Sequence, residues 1–237
     1  NGDMIEKWEI KTHVENQGER ILPDIADTVL AKMKEKGLDQ SQVWGIGIGL
    51  PGPVEESGEI ACAVNLHWGR KNIEKELGDM TGLKVKAGND ANVAALGEMW
   101  KGGGQGAKNL ILVTLGTGVG GGIIINEKIV TGAHGAGGEI GHAPVNPEES
   151  IPCNCGNKGC LEQYASATGI ARLARKAMDN TNKSSSLRYC PSVNAKDVFD
   201  AYKEGDELAA EVVEEFSEYM GRALAAFTCV TDPDVIV

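Results

Sequence analysis

Residues 138–162 read G-E-I-G-H-A-P-V-N-P-E-E-S-I-P-C-N-C-G-N-K-G-C-L-E, and the rest of the chain is read outward from them. His142, Cys153, Cys155 and Cys160 offer one imidazole and three thiols, the donor set that zinc accepts in closed tetrahedral sites. Three cysteines within eight positions of a glycine-rich loop are poorly explained as small buried apolar residues, although a single cysteine would be. Gly156 and Gly159 let the backbone turn tightly enough for neighbouring sulfurs to converge on one ion. Glu139 and Glu162 flank the set and are not needed to close it.

Composition sets the frame around this stretch. The chain has 237 residues, 41% hydrophobic and 24% charged, as expected of a globular protein with a real core. A formal net charge of -11 argues against a nucleic-acid surface or an anionic membrane as partner. No apolar run approaches the length of a membrane span, and no signal peptide opens the chain. Of the six cysteines, three cluster with ligand spacing and Cys62, Cys190 and Cys229 stand apart, which fits a reducing cytoplasm better than a disulfide framework.

Before the cysteine stretch, Asn1-Gly2-Asp3 is a hairpin-turn signal and 4–11 alternates as a strand. A turn needs a strand before it, so the chain is expected to lack its first strands. Ile21, Leu22, Ile25, Val29, Leu30 and Met33 recur at helical spacing within 19–36. A buried strand is expected over 43–50, closed by Pro51-Gly52-Pro53. His67, alone in the 65–69 loop, reads as a surface residue. A polar helix over 71–79, a strand over 83–87 and a helix over 91–100 follow. Asn89 and Asp90 stand where that strand gives way to that helix: either can cap the helix, and a carboxylate there also matches a catalytic position in α/β enzymes.

The glycine-rich 101–106 segment marks the expected boundary between a small α/β domain, 1–103, and a larger one, 104–237, that carries the cysteine loop. Leu110 to Leu115 is a central strand that runs into Gly116-Thr117-Gly118-Val119-Gly120-Gly121-Gly122 and returns as a hairpin. Such a bend can present N–H groups to phosphate oxygens, or its glycines can serve the hairpin alone. It is neither a Walker loop, lacking G-K-[ST], nor a dinucleotide fingerprint, since a strand follows it. Helices are expected over 166–178, 195–202 and from 208 to 227, with a mobile polar loop over 180–192. Asp232-Pro233 then leads into a strand at 235–237 that is cut off.

Together, Leu50-Pro51-Gly52, Asn89-Asp90-Ala91-Asn92, the 115–122 bend and the 138–162 stretch resemble the ROK family of sugar kinases and repressors over nearly the whole chain. Cys160-Leu161-Glu162 continuing into Ala165-Ser166-Ala167-Thr168-Gly169 is most similar to glucokinases of the Gram-positive type. The resemblance implies an actin-like, ribonuclease-H-like α/β fold whose two domains close over sugar and ATP, with mixed sheets truncated at both ends. It implies Asp90 as general base and Asn89, Glu139, His142 and Glu162 as ligands of the sugar, with Asn65 a further contact. His142 doubles as a ligand of structural zinc with Cys153, Cys155 and Cys160. Gly116, Thr117 and Gly118 would hold the transferring phosphate of ATP with Mg²⁺. A hexose is the implied substrate, glucose ahead of N-acetylmannosamine, fructose and allose. A homodimer is expected, with no nucleic-acid or membrane partner. A sugar-responsive repressor of the same family is the competing expectation, and a zinc-stapled binding protein without chemistry a third. Family kinases also carry a D-x-G-G-T-type phosphate loop and a glycine-rich adenine segment that are not among these residues, so the chain alone is expected to be weak or inactive.

Overall fold

The computed structural model describes residues 2–237 and divides into two compact units. Unit one comprises residues up to Gln105 together with Ile129–Gly137; unit two comprises Gly106–Lys128 and Gly138–Val237.

In unit one, a single turn, α1 (Glu15–Gly18), precedes helix α2 (Ile21–Glu35). Gly37, left-handed at φ 66°, ends α2: its N–H reaches Lys34 O and the Leu38 N–H reaches Met33 O, which closes the last carbonyls as a Schellman motif does. Strand β1 (Ile46–Leu50) pairs in parallel with β4 (Val85–Asn89), Leu50 opposite Asn89. Between them lie the short antiparallel pair β2 (Glu59–Ile60) and β3 (Lys71–Asn72), then helix α3 (Ile73–Thr81), whose first turn is capped by Asn72 Oδ1 accepting from the Lys75 N–H at 2.9 Å. Helix α4 (Asp90–Lys101) follows β4 directly. Ile21 and Leu22 of α2, Leu50, Val54, Ile60, Trp68 and Ile73 form the core. His67 is exposed, as its isolation predicts.

Unit two is built on a sheet of order β7-β6-β5-β8. Strands β5 (Leu110–Leu115) and β6 (Val119–Ile125) are antiparallel across the 116–118 bend, and β6 turns into β7 (Lys128–Ile129) through Asn126 and Glu127. Both turn residues have positive φ, 51° and 62°, the backbone that two-residue hairpins require. Strand β8 (Val235–Ile236) lies parallel to β5. A single helical turn, α5 (Glu162–Ala165), leads to α6 (Ala167–Asn180), α7 (Ala195–Lys203) and the long α8 (Glu207–Thr231). Tyr164, Leu173, Val198 and Val212 are among the core residues they bury. Left-handed Asp232 ends α8 ahead of Pro233.

Two sequence expectations fail. The alternation of 4–11 does not produce a strand: residues 2–14 form no regular element, because this segment finds no strand to pair with among the described residues. It is held by side chains instead, with Glu6 paired to Lys32 and Lys36 and Trp8 Nε1 donating to Thr28 at 3.1 Å. The hairpin turn at 1–3 begins on Asn1, outside the described residues. The polar 180–192 loop is ordered around a short 3₁₀ turn, Ser186–Tyr189, with Leu187 buried. Asp206 is the reason: its carboxylate caps α8 through the Ala209 N–H at 3.0 Å and also accepts from the Ser186 N–H at 2.8 Å.

Candidate functional site

The cysteine loop is a short ladder closed on itself. Leu161 N–H donates to Ala143 O at 2.9 Å and Val145 N–H to Gly159 O at 2.7 Å, which brings the segment after His142 against the segment after the last cysteine. Inside this ladder, Cys153 N–H donates to Asn157 O at 2.6 Å, turning the chain between the cysteines. Gly159 has φ 71°, and a Cβ there would lie 1.9 Å from Asn146 O, so both conformation and space demand glycine.

These constraints bring His142, Cys153, Cys155 and Cys160 together, one ligand atom from each lying within 4.8 Å of every other. Cys155 Sγ is 3.6 Å from Cys160 Sγ, and Cys153 Sγ is 3.8 Å from His142 Nδ1. Zinc–sulfur bonds of about 2.3 Å in a tetrahedron set sulfur–sulfur edges of about 3.8 Å, close to the Cys155–Cys160 separation, so the donor set and its spacing fit that ion. Burial and the neighbouring sulfurs push the Cys160 thiol up to about 12, because three crowded thiols do not ionise together unless a cation neutralises them. His142 Nε2, on the side away from Cys153, faces Glu139 Oε2 at 4.0 Å.

Glu162 starts the helical turn that follows the last cysteine. Its Oε2 accepts from the Val119 N–H at 3.3 Å, and Cys153 Sγ lies 3.4 Å from Oε1. Gly118 leaves room for it, since a Cβ at that position would lie 2.1 Å from Glu162 Oε2. Gly121 and Gly141 have the same kind of reason: added Cβ atoms would meet Ile140 at 2.3 Å and Val119 O at 2.0 Å. Gly118, Gly121 and Gly141 therefore let β6 and the loop interlock.

The bend itself remains open. Gly116 and Thr117 are exposed, and a Cβ at Gly116 would meet nothing. Gly116 O accepts from the Ala167 N–H at 2.9 Å and Thr117 O from Thr168 Oγ1 at 2.8 Å, so its carbonyls are tied back to the start of α6. The N–H groups of Thr117 and Gly118 have no acceptor among the described residues and are free to meet an anion.

In unit one, Asn89 and Asp90 divide the roles the sequence leaves open between them. Asn89 is buried and caps α4, its Oδ1 accepting from the Asn92 N–H at 3.1 Å while its Nδ2 donates to Gly52 O at 3.2 Å. One lone pair and one N–H of its amide remain. Asp90 is exposed, and its Oδ1 accepts only from the adjoining Ala91 N–H at 2.8 Å. Asn65 is exposed on a 3₁₀ turn, Val64–Leu66.

Comparison with known proteins places this arrangement. The model of the ROK family matches residues 3–237. A glucokinase of Halalkalibacterium halodurans is 45% identical over 240 residues, covering all of this chain and 73% of that protein. The crystal structure of a ROK family glucokinase from Streptomyces griseus, in complex with glucose and AMPPNP, superposes with a TM-score of 0.71 at 34% identity, covering 90% of this chain and 70% of that one. A xylose repressor of Caldicellulosiruptor bescii is 30% identical over 239 residues, all of this chain and 60% of that protein. The α/β, actin-like fold class expected from the sequence is that of the solved ROK sugar kinases. The chain belongs to the ROK family.

Proposed function

We propose that this chain serves a kinase that transfers the γ-phosphoryl group of ATP to the primary hydroxyl of a hexose, glucose before other sugars, giving glucose 6-phosphate and ADP. The observation that carries the reading is the placement of Glu162, a carboxylate fixed by a backbone N–H beside a three-cysteine, one-histidine cluster. Hexoses differ in hydroxyl placement, and a fixed carboxylate makes the strong, directional hydrogen bond that tells one placement from another. Similarity to a glucokinase at 45% identity supports glucose as the first choice.

Each residue then has a role. Asp90 takes the proton from the attacking hydroxyl as its oxygen bonds to phosphorus and the bond to ADP breaks; an exposed carboxylate with a single local hydrogen bond has lone pairs for that task. Asn89, Glu139, His142 and Glu162 bind sugar hydroxyls, with Asn65 as an outer contact. Gly116, Thr117 and Gly118 receive the phosphate at the open bend. His142, Cys153, Cys155 and Cys160 would hold zinc, which in a closed site fixes the loop and activates no water. Mg²⁺ would travel with ATP and screen its charge.

Similarity to a xylose repressor across the whole chain supports a second reading, a sugar-responsive regulator, since both need the sugar ligands and only the kinase needs Asp90 to act. A panel of glucose, N-acetylmannosamine, fructose and allose, with ATP, Mg²⁺ and the full-length gene product, separates them. Phosphorylation with the highest kcat/KM on glucose is expected; saturable sugar binding with no phosphorylation of any sugar favours the regulator.

A further inference from the structure

Around Glu149 and the residues that follow Glu162 lies a polar cluster to which the proposed metal and sugar roles assign no part. Glu149 stands four residues before Cys153, and its side chain is only 10% exposed. Its Oε2 accepts from Tyr164 Oη at 2.7 Å and from Arg172 Nη1 at 2.8 Å, while Oε1 accepts from the Ile151 N–H at 3.0 Å. Burial opposes the charge, yet the hydrogen bonds from Ile151, Tyr164 and Arg172 outweigh it and hold the carboxyl at about 2.

The cluster reaches both ends of the cysteine run. Gln163 Nε2 donates to Ile151 O at 3.0 Å, ahead of Cys153, and Gln163 Oε1 accepts from the Cys160 N–H at 3.1 Å. Arg172 of α6 holds the Gln163 carbonyl with Nε at 3.2 Å, and its guanidinium stacks over the Tyr164 ring at 5.0 Å. Asn146 bridges the hydroxyls of Tyr164 and Tyr219 at 2.9 and 3.2 Å, which ties the same frame to α8. The residues on either side of the metal ligands are thus fixed by protein groups, and Glu162 sits between Cys160 and Gln163.

We propose that Glu149, Arg172 and Tyr164 form a positioning frame that preorganises the cysteine loop, so that it retains its metal and keeps Glu162 aimed. The proposal rests on the zinc and sugar roles given above. A buried pair that loses one partner leaves an uncompensated charge, so the frame acts as a unit. Partners that orient metal ligands from behind typically change metal affinity by about 10- to 100-fold when removed.

The test is the rate at which zinc-loaded full-length protein releases zinc to a chromophoric chelator, with sugar KM and kcat measured alongside. Glu149→Gln and Arg172→Met should each release zinc about 10- to 100-fold faster. The double variant should be no faster than the faster single one, and sugar KM should rise more than kcat falls. Tyr164→Phe, which keeps the ring and removes one hydroxyl, should show a smaller acceleration and carries the test should the other variants fail to fold. Unchanged release in folded variants overturns the frame alone. A protein that takes up no zinc overturns the metal reading and the frame with it, and faster release with no change in sugar KM overturns the claim that the frame aims Glu162.

Discussion

Asp90 and Glu162 are both acidic residues at the start of a helical segment, and the structure treats them in opposite ways. Asp90 opens α4 but leaves the capping to Asn89; it is exposed and bonded only to its neighbour's N–H. Glu162 is held by the Val119 N–H and fills the space that Gly118 leaves. A proton acceptor needs free lone pairs and room to approach the hydroxyl, whereas a recognition group gains from being fixed before the ligand arrives. The difference in anchoring is therefore what the proposed division of labour requires.

Breaking the free member should have the largest effect. In the full-length protein, Asp90→Asn should lower kcat by about two to four orders of magnitude with sugar binding retained, because general-base catalysis contributes about that much. Steady-state kinetics beside sugar calorimetry checks this; unchanged turnover would reduce Asp90 to an ordinary surface residue.

The fixed member depends on the frame behind it. Folding lowers the Glu149 carboxyl from its ordinary 4.5 to about 2. The stabilisation is therefore complete above pH 4.5 and is lost as pH falls from 4.5 towards 2, an effect of about 3 kcal/mol. Denaturant unfolding between pH 6 and pH 2.5 should show the protein losing stability over that interval, with a flatter profile in Glu149→Gln. Gly118→Ala sharpens the contrast further, since the new Cβ would occupy the place of Glu162 Oε2. It should raise sugar KM about 10- to 100-fold, the worth of a hydrogen bond to a charged group, while zinc content stays the same. The smallest effect belongs to the cap beside Asp90. Asn89→Ala should cost about 1 kcal/mol and lower Tm by about 2–4 °C. Asn89→Asp should keep the cap but set a buried carboxylate oxygen against Gly52 O, lowering the Tm as well and weakening sugar binding through loss of the Nδ2 donor.

What could be read from the sequence follows how local the deciding interactions are. The cysteine loop is closed by hydrogen bonds between residues 143–145 and 159–161, all within the quoted stretch, and its spacing alone suggests the cluster. The helices are legible because their apolar spacing and ends such as Asp232-Pro233 are written in neighbouring residues. Segment 4–11 had the alternation of a strand, but a strand exists only with a partner, and the pattern cannot supply one. The turn at 186–189 depends on Asp206, some twenty residues away, which no local pattern announces. Gly118 was legible as a bend glycine and not as the residue that makes room for Glu162, 44 positions later in the chain. Arg172 and Glu149 gave no signal, since a charged residue on a helix and another in a loop are ordinary until the fold buries them together.

The central claim is that a metal-held loop aims Glu162 at the sugar, and glucose calorimetry on zinc-loaded and zinc-stripped protein tests it most directly. The account predicts one zinc per chain in the loaded form and, after stripping, a folded protein that binds glucose at least about tenfold more weakly. Equal glucose affinity in the two forms would contradict it.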